Sequence, residues 1–235
     1  MYTILTDSCS DLNAQIAARF AQLEVLPLSY TISGQTSTQP FDDAARCSAF
    51  YDRLRAGETC TTSQVSPGDF AEAFKAHAKK GEAVLGLIFS SALSGTYASA
   101  CMARDMVLEE YPDAVIELVD TLSASAGEGM VVYDALLRRD AGMPIEENAV
   151  YTKAHLQEYA HWFTVDDLHF LKRGGRCSPS AERPFIPQIC SGSICCRAAN
   201  TAMLLLGSRP RRRRHRSAAV LTSRSILCPT ICRCR

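Results

Sequence analysis

The sequence predicts an α/β fold, a parallel sheet flanked by helices, over its first 176 residues. Three observations carry that reading. Short apolar runs alternate with segments of helical period. A cluster of small polar residues separates each run from the helix after it. One run, residues 83–89, is apolar almost without a break, as in a parallel strand covered on both faces.

The elements follow in order. Residues 2–5, YTIL, read as a strand that ends in the polar cluster TDSCSD at 6–11, suited to a strand-to-helix loop. Residues 12–23 read as a helix and 25–32 as a strand. A helix is expected over 42–55, with Phe50, Tyr51 and Leu54 at helical spacing. Ser66, Pro67 and Asp69 then spell a helix start. The hydroxyl accepts a backbone N–H, proline occupies the first helical position, and an acid lies in the first turn. That helix is expected to stop near Gly81. The strand at 83–89 runs into SSALSGTYASA and a helix reaching about Tyr111. A further strand, 114–119, ends at Asp120, Thr121 and the loop SASAGEG, before a helix over 130–139. Residues 149–160 read as a helix leading into a second domain.

Overall charge is zero, but that neutrality is a cancellation. Residues 1–176 hold 14 Lys and Arg against 24 Asp and Glu, a net of −10. Residues 177–235 hold 11 arginines, no lysine and one acid, Glu182, a net of +10. No apolar run approaches the roughly 18 to 20 residues that span a bilayer. The N-terminus has no charged region followed by an apolar one, so a cytoplasmic protein is expected.

In a parallel sheet, ligands bind beyond the carboxyl ends of the strands. The loops at 6–11, 90–96 and 120–129 are expected on that edge, and TTSQ at 61–64 is placed with them. Thr62, Ser63, Ser91, Ser94 and Thr96 offer uncharged hydroxyl donors, and Gly95 lets a ligand approach backbone at a helix N-terminus. Such donors suit a carboxylate. The same hydroxyls also fit the plainer role of helix caps, and spacing alone does not separate the two. Neither GxxxxGK[ST] nor a GxGxxG after a strand is present, which disfavours nucleotides. A serine hydrolase is disfavoured by the missing GxSxG elbow. None of His77, His155, His161, His169 and His215 stands in an evident base loop, and His77 and His155 read as lying on solvated helix faces. Cys9, Cys47, Cys60 and Cys101 are isolated and read as small core residues, so no metal site and no cofactor are implied.

Five motifs in order, TDSCSDL at 6–12, TSQVSPGDF at 62–70, SSALSGTYASA at 90–100, VDTLSASAGEGM at 119–130 and FTVDDLHFLKRGGR at 163–176, resemble the DegV family. The resemblance implies a bacterial cytosolic protein of two α/β domains that buries a long-chain fatty acid in a tunnel. It places the carboxylate on Thr62 and Ser94, and the hydroxyl reading above leaves Ser63, Ser91, Gly95 and Thr96 as weaker head-group candidates. It further implies a carrier, not an enzyme, that presents its fatty acid to a separate fatty acid kinase. The energetics agree, since each buried CH₂ contributes about 0.8 kcal/mol and the hydroxyls mainly orient the head group.

Three segments result: a DegV-like N-terminal domain over 1–160, the start of a second domain over 161–181, and an aberrant tail over 182–235. The tail holds most of the residues after Arg176, which include seven of the eleven cysteines. Its PRRRRHR run at 210–216 suits nucleic-acid phosphates, which keeps a nucleic-acid-associated protein as the alternative function. Its cysteines, CC at 195–196 and CPTICRCR at 228–235, do not match paired zinc knuckles. A frameshift near codons 177–182 fits the composition best, since a shifted GC-rich frame favours Arg, Pro, Ser, Cys and Ala. On that reading the tail is poorly ordered, the second α/β domain is truncated or scrambled, and lipid binding is impaired.

Overall fold

A computed structural model describes residues 1–38, 44–162 and 217–220. Its centre is a four-stranded parallel sheet in the order β2-β1-β6-β7, built from β1 (Thr3–Asp7), β2 (Leu23–Leu26), β6 (Val84–Ile88) and β7 (Ile116–Asp120). β1 and β6 are central, with Thr3 opposite Val84, and all five residues of each are buried. Continuous burial explains the unbroken apolar run at β6, because a strand covered on both faces has no polar side to show.

Helices cover both faces. On one, α3 (Pro67–Ala78) and α4 (Thr96–Glu110) bring Phe70, Phe74, Ala100, Ala103 and Val107 against Val84 and Ile88. On the other, α5 (Ala126–Asp140) and α6 (Ile145–His155) bring Val132, Leu136, Ile145 and Ala149 against Leu85 and Leu87. Alternate residues of β6 thus feed opposite cores, as the period of two in a strand requires. Phe70 and Phe74 are fully buried, and truncating either to Ala costs about 3–5 kcal/mol.

α3 begins as expected. Ser66 Oγ accepts from Asp69 N at 3.1 Å, while Asp69 Oδ2 accepts from Ser66 N at 3.2 Å, a reciprocal capping box with Pro67 in the first turn. Elsewhere the elements differ from expectation. The helix over 12–23 shrinks to α1 (Ala14–Ala17), capped by Asn13; Gln22 at φ 53° then turns the chain, and Leu23–Leu26 become β2 alongside β1. The expected strand over 25–32 is two strands in different sheets, divided at Pro27, which has no N–H for a ladder. Its second half, β3 (Ser29–Ile32), is the middle of an antiparallel sheet ordered β4-β3-β5. A tight turn with Ser33 at φ 50° and Gly34 at φ 78° leads to β4 (Gln35–Ser37), and β5 (Cys60–Ser63) pairs on the other side of β3. α2 (Ala44–Arg55) packs Phe50 and Leu54 onto Ile32 of this small sheet.

α5 starts four residues before the expected Met130, so the SASAGEG loop is partly helical. After α6 and one 3₁₀ turn, β8 (Tyr159–Trp162) replaces the end of the helix expected over 149–160. Its parallel partner is β9 (Ser217–Val220), so four residues of the segment expected to be poorly ordered form a strand. The remainder of 182–235 lies outside the described residues, as do the GGR motif, the arginine run and its alternative function.

Candidate functional site

The carboxyl ends of β1, β6 and β7 lie side by side, and their loops are stitched together. Asp7 Oδ2 accepts from Phe89 N at 3.0 Å. Ser90 N donates to Ser123 O at 3.1 Å, and Ser91 N to Asp120 Oδ1 at 3.1 Å. Thr121 Oγ1 donates to Ile88 O at 2.8 Å, the Ser125 hydroxyl donates to the Asp11 carboxylate, and Thr6 Oγ1 donates to Glu128 Oε1 at 3.2 Å. The three loops expected at 6–11, 90–96 and 120–129 therefore form one edge.

Within it, Leu93 N and Ser94 N both donate to Ser90 O, at 3.0 and 3.1 Å, and close a turn that sets Ser94 just ahead of α4. Ser94 Oγ accepts from Thr96 N at 3.3 Å and lies 2.9 Å from Thr96 Oγ1. Gly95, the cap position of α4, has no side chain to cap the first turn. Ser94 is half-buried, Ser91 and Gly95 are exposed, and Thr96 is fully buried, facing inward to Ser94.

TTSQ joins this edge from the other sheet, not from a loop as expected. Thr62 is half-buried on β5 opposite Tyr30, and Ser63 is exposed opposite Ser29. The connection is made by Gln64, which the sequence did not single out. Its Nε2 donates to Ser99 Oγ, one turn into α4, at 2.8 Å. Its Oε1 passes so close to Gly95 that a Cβ there would lie 2.1 Å away. A side chain at 95 would therefore have to displace the end of Gln64.

Burial, with Cys101 next to it, pushes the Tyr97 phenol up to about 12. His77 is not on a solvated face: only 12% of its side chain is exposed, with Nε2 2.7 Å from Glu24 Oε2 and Nδ1 2.8 Å from Glu82 Oε2. With one carboxylate on each ring nitrogen, no single metal ion is shared by the three. His155 stacks on Tyr151 at 3.9 Å and bonds to Tyr151 O. Cys9 and Cys47 are buried as expected, while Cys60 and Cys101 are only partly so. No group of three or more metal-ligating side chains, and no helix long and apolar enough to cross a membrane, occurs among the described residues.

A four-stranded parallel sheet covered by helices on both faces, with the loops of three strands joined along its carboxyl edge, defines an α/β domain of the doubly wound kind. The chain belongs to the DegV family, whose sequence model, described as an uncharacterised protein family, matches residues 1–182. A DegV domain-containing protein of Streptococcus pyogenes serotype M1 is 41% identical over 177 residues, 75% of this chain and 62% of that protein. A Thermus thermophilus DegV family protein, described by its fatty acid binding, superposes with TM-score 0.64 at 34% identity, over 74% of this chain and 60% of that one. A Thermotoga maritima protein described as revealing a fatty acid binding function gives TM-score 0.64 at 28% identity, over 75% and 63%. The fatty acid kinase B3 protein of Streptococcus pneumoniae, loaded with linoleic acid, shares the fold at 22% identity, TM-score 0.62, over 76% and 62%. The chain therefore spans about six-tenths of the length of these relatives.

Proposed function

We propose that this chain binds a long-chain fatty acid, with the carboxylate received by Thr62 and Ser94, and presents it to a separate fatty acid kinase. The observation that carries the reading is the Gln64 bridge, which draws the β5 motif onto the N-terminus of α4. Gln64 directly follows β5, two residues after Thr62, so the bridge holds the end of that strand. Uncharged hydroxyls and the positive end of α4 suit a singly charged head group. Fatty acid binding by the Thermus and Thermotoga proteins supports the ligand class. The kinase rests on the family resemblance. Ser63, Ser91, Gly95 and Thr96 are secondary head-group candidates, of which Thr96 acts through Ser94.

The protein is a carrier on this reading. A nucleophilic Ser94 needs a base, and His77 and His155 are both engaged elsewhere. We also infer that residues 182–235 are read out of the family's frame, since the family match ends at 182, a few residues after the composition changes at Arg176. The acyl sleeve is then incomplete, and binding is weaker than in a relative with a whole second domain.

The test compares oleate with its methyl ester. Thr62→Val and Ser94→Ala should each weaken oleate binding, by roughly 1–3 kcal/mol, and leave the ester unchanged. Equal binding of acid and ester by the unmodified chain overturns the head-group assignment.

A further inference from the structure

We infer that Asp7 is a positioning residue for the head-group site, holding the loop that carries Ser94 through the backbone N–H of Phe89; this rests on the fatty-acid reading of that site. Asp7 ends β1 and is fully buried. Its Oδ1 accepts from Cys9 N at 2.9 Å, fixing its own loop, and its Oδ2 accepts from Phe89 N at 3.0 Å, across the sheet. Phe89 immediately precedes Ser90, whose carbonyl anchors the turn to Ser94. A continuous path of hydrogen bonds therefore runs from Asp7 to Phe89, through the Ser90 turn, to Ser94 Oγ and the first N–H of α4.

The residue type is specific to this task. Each oxygen of Asp7 meets a different backbone N–H, so two acceptors are needed, pointing apart. Asparagine has the same shape but supplies one acceptor, and in either amide orientation its NH₂ faces a backbone N–H. Burial pushes the Asp7 carboxyl up, and the N–H groups of Phe89 and Cys9 pull it back, so the acid is retained against a desolvation penalty. A buried acid that has no basic partner among the described residues is expensive to keep for packing alone. Its two bonds instead lock the exits of the two central strands, where the loop geometry is decided.

The experiment uses the full chain and two readouts. The first is amide hydrogen exchange by NMR, without ligand. Asp7→Asn should speed exchange at Phe89, Leu93 and Ser94 while the β1 to β2 ladder keeps its protection; unchanged or uniformly faster exchange overturns the inference. The second is a double-mutant cycle with oleate. Asp7→Asn should weaken binding about tenfold alone and have little further effect in a Ser94→Ala background. Equal losses in both backgrounds mean that Asp7 contributes only general stability. If oleate binding is absent or indifferent to Ser94→Ala, the fatty-acid reading fails, and the exchange data still decide whether Asp7 holds the loop. Should Asp7→Asn not fold, oleate added to the unmodified chain must slow exchange at Phe89 and Ser94 together, and a lack of slowing overturns the inference.

Discussion

Replacing Gly95 with alanine tests the joint between the two motifs with a single carbon atom. A Cβ at 95 would lie 2.1 Å from Gln64 Oε1 and 3.0 Å from its Cδ, far inside contact distance. Gly95 has φ −76° and ψ 1°, a conformation alanine also adopts, so the backbone itself is not strained. What must move is the end of a flexible side chain on an exposed residue. Stability should therefore change by less than about 1 kcal/mol, as the lost cap preference is offset by the smaller entropy of the unfolded chain. The displaced Gln64 loses its 2.8 Å bond to Ser99, a loss of about 1 kcal/mol, or about fivefold in oleate affinity if that bond sets the approach of Thr62 to Ser94. Equilibrium binding of radiolabelled oleate and a denaturant titration read the two quantities. The double variant Gly95→Ala with Gln64→Ala removes the clash, so it should bind no worse than Gln64→Ala alone. If Gly95→Ala weakens binding equally with and without Gln64, the glycine matters for some other reason and the bridge is not what joins the site.

Three further outcomes are expected. Ser90 Oγ is fully buried and has no hydrogen-bond partner among the described residues, so Ser90→Ala should leave the free protein as stable or raise its stability by roughly 1 kcal/mol in urea titration. Glu58 is held down at about 2 by hydrogen bonds from Arg53 first and Ser33 second. A lowered folded pKa adds stability that is complete above the ordinary carboxylate value of 4.5 and is lost as pH falls toward 2. Glu58→Gln should flatten that part of the acid-denaturation curve, and an unchanged curve would remove the pair from the explanation. Sequencing the coding DNA across codons 170–190 should find that another downstream frame encodes a DegV-like second domain. Stops in both other frames would make the Arg- and Cys-rich segment a genuine feature.

What the sequence revealed was set by range. The start of α3 was legible because Ser66, Pro67 and Asp69 lie within four residues and act on one another. β6 was legible because burial on both faces leaves its mark on every residue. β4 and β5 were not, since QTS and CTTS carry no apolar alternation and become strands only by pairing with β3. His77 was misplaced for a similar reason, because Glu24, which helps to hold it, comes from 53 residues earlier in the chain. At the proposed site, the hydroxyls of Thr62 and Ser94 were visible as residue types. Gln64 and Asp7 were visible only as members of quoted motifs, because what each does depends on the backbone that another element brings to it.

The loop between β6 and α4 bears on which guests the proposed site can accept. The N–H groups of Phe89, Ser90, Ser91, Leu93, Ser94 and Thr96 all donate within the protein, to Asp7, Ser123, Asp120, Ser90 and Ser94. These groups are the usual currency of a phosphate cradle, and here they are already committed. Two of their acceptors, Asp7 and Asp120, are acids, which raises the electrostatic cost of a multiply charged guest on this edge. A monocarboxylate with an apolar tail remains compatible, because its affinity comes from hydrocarbon burial and its head group needs orientation more than neutralisation. The same commitments order the loop before a ligand arrives, so binding does not have to supply that ordering. Freeing Phe89 by changing Asp7 is therefore a stricter test of the carrier than removing either hydroxyl, since it leaves every proposed head-group contact in the sequence and alters only where the loop holds it.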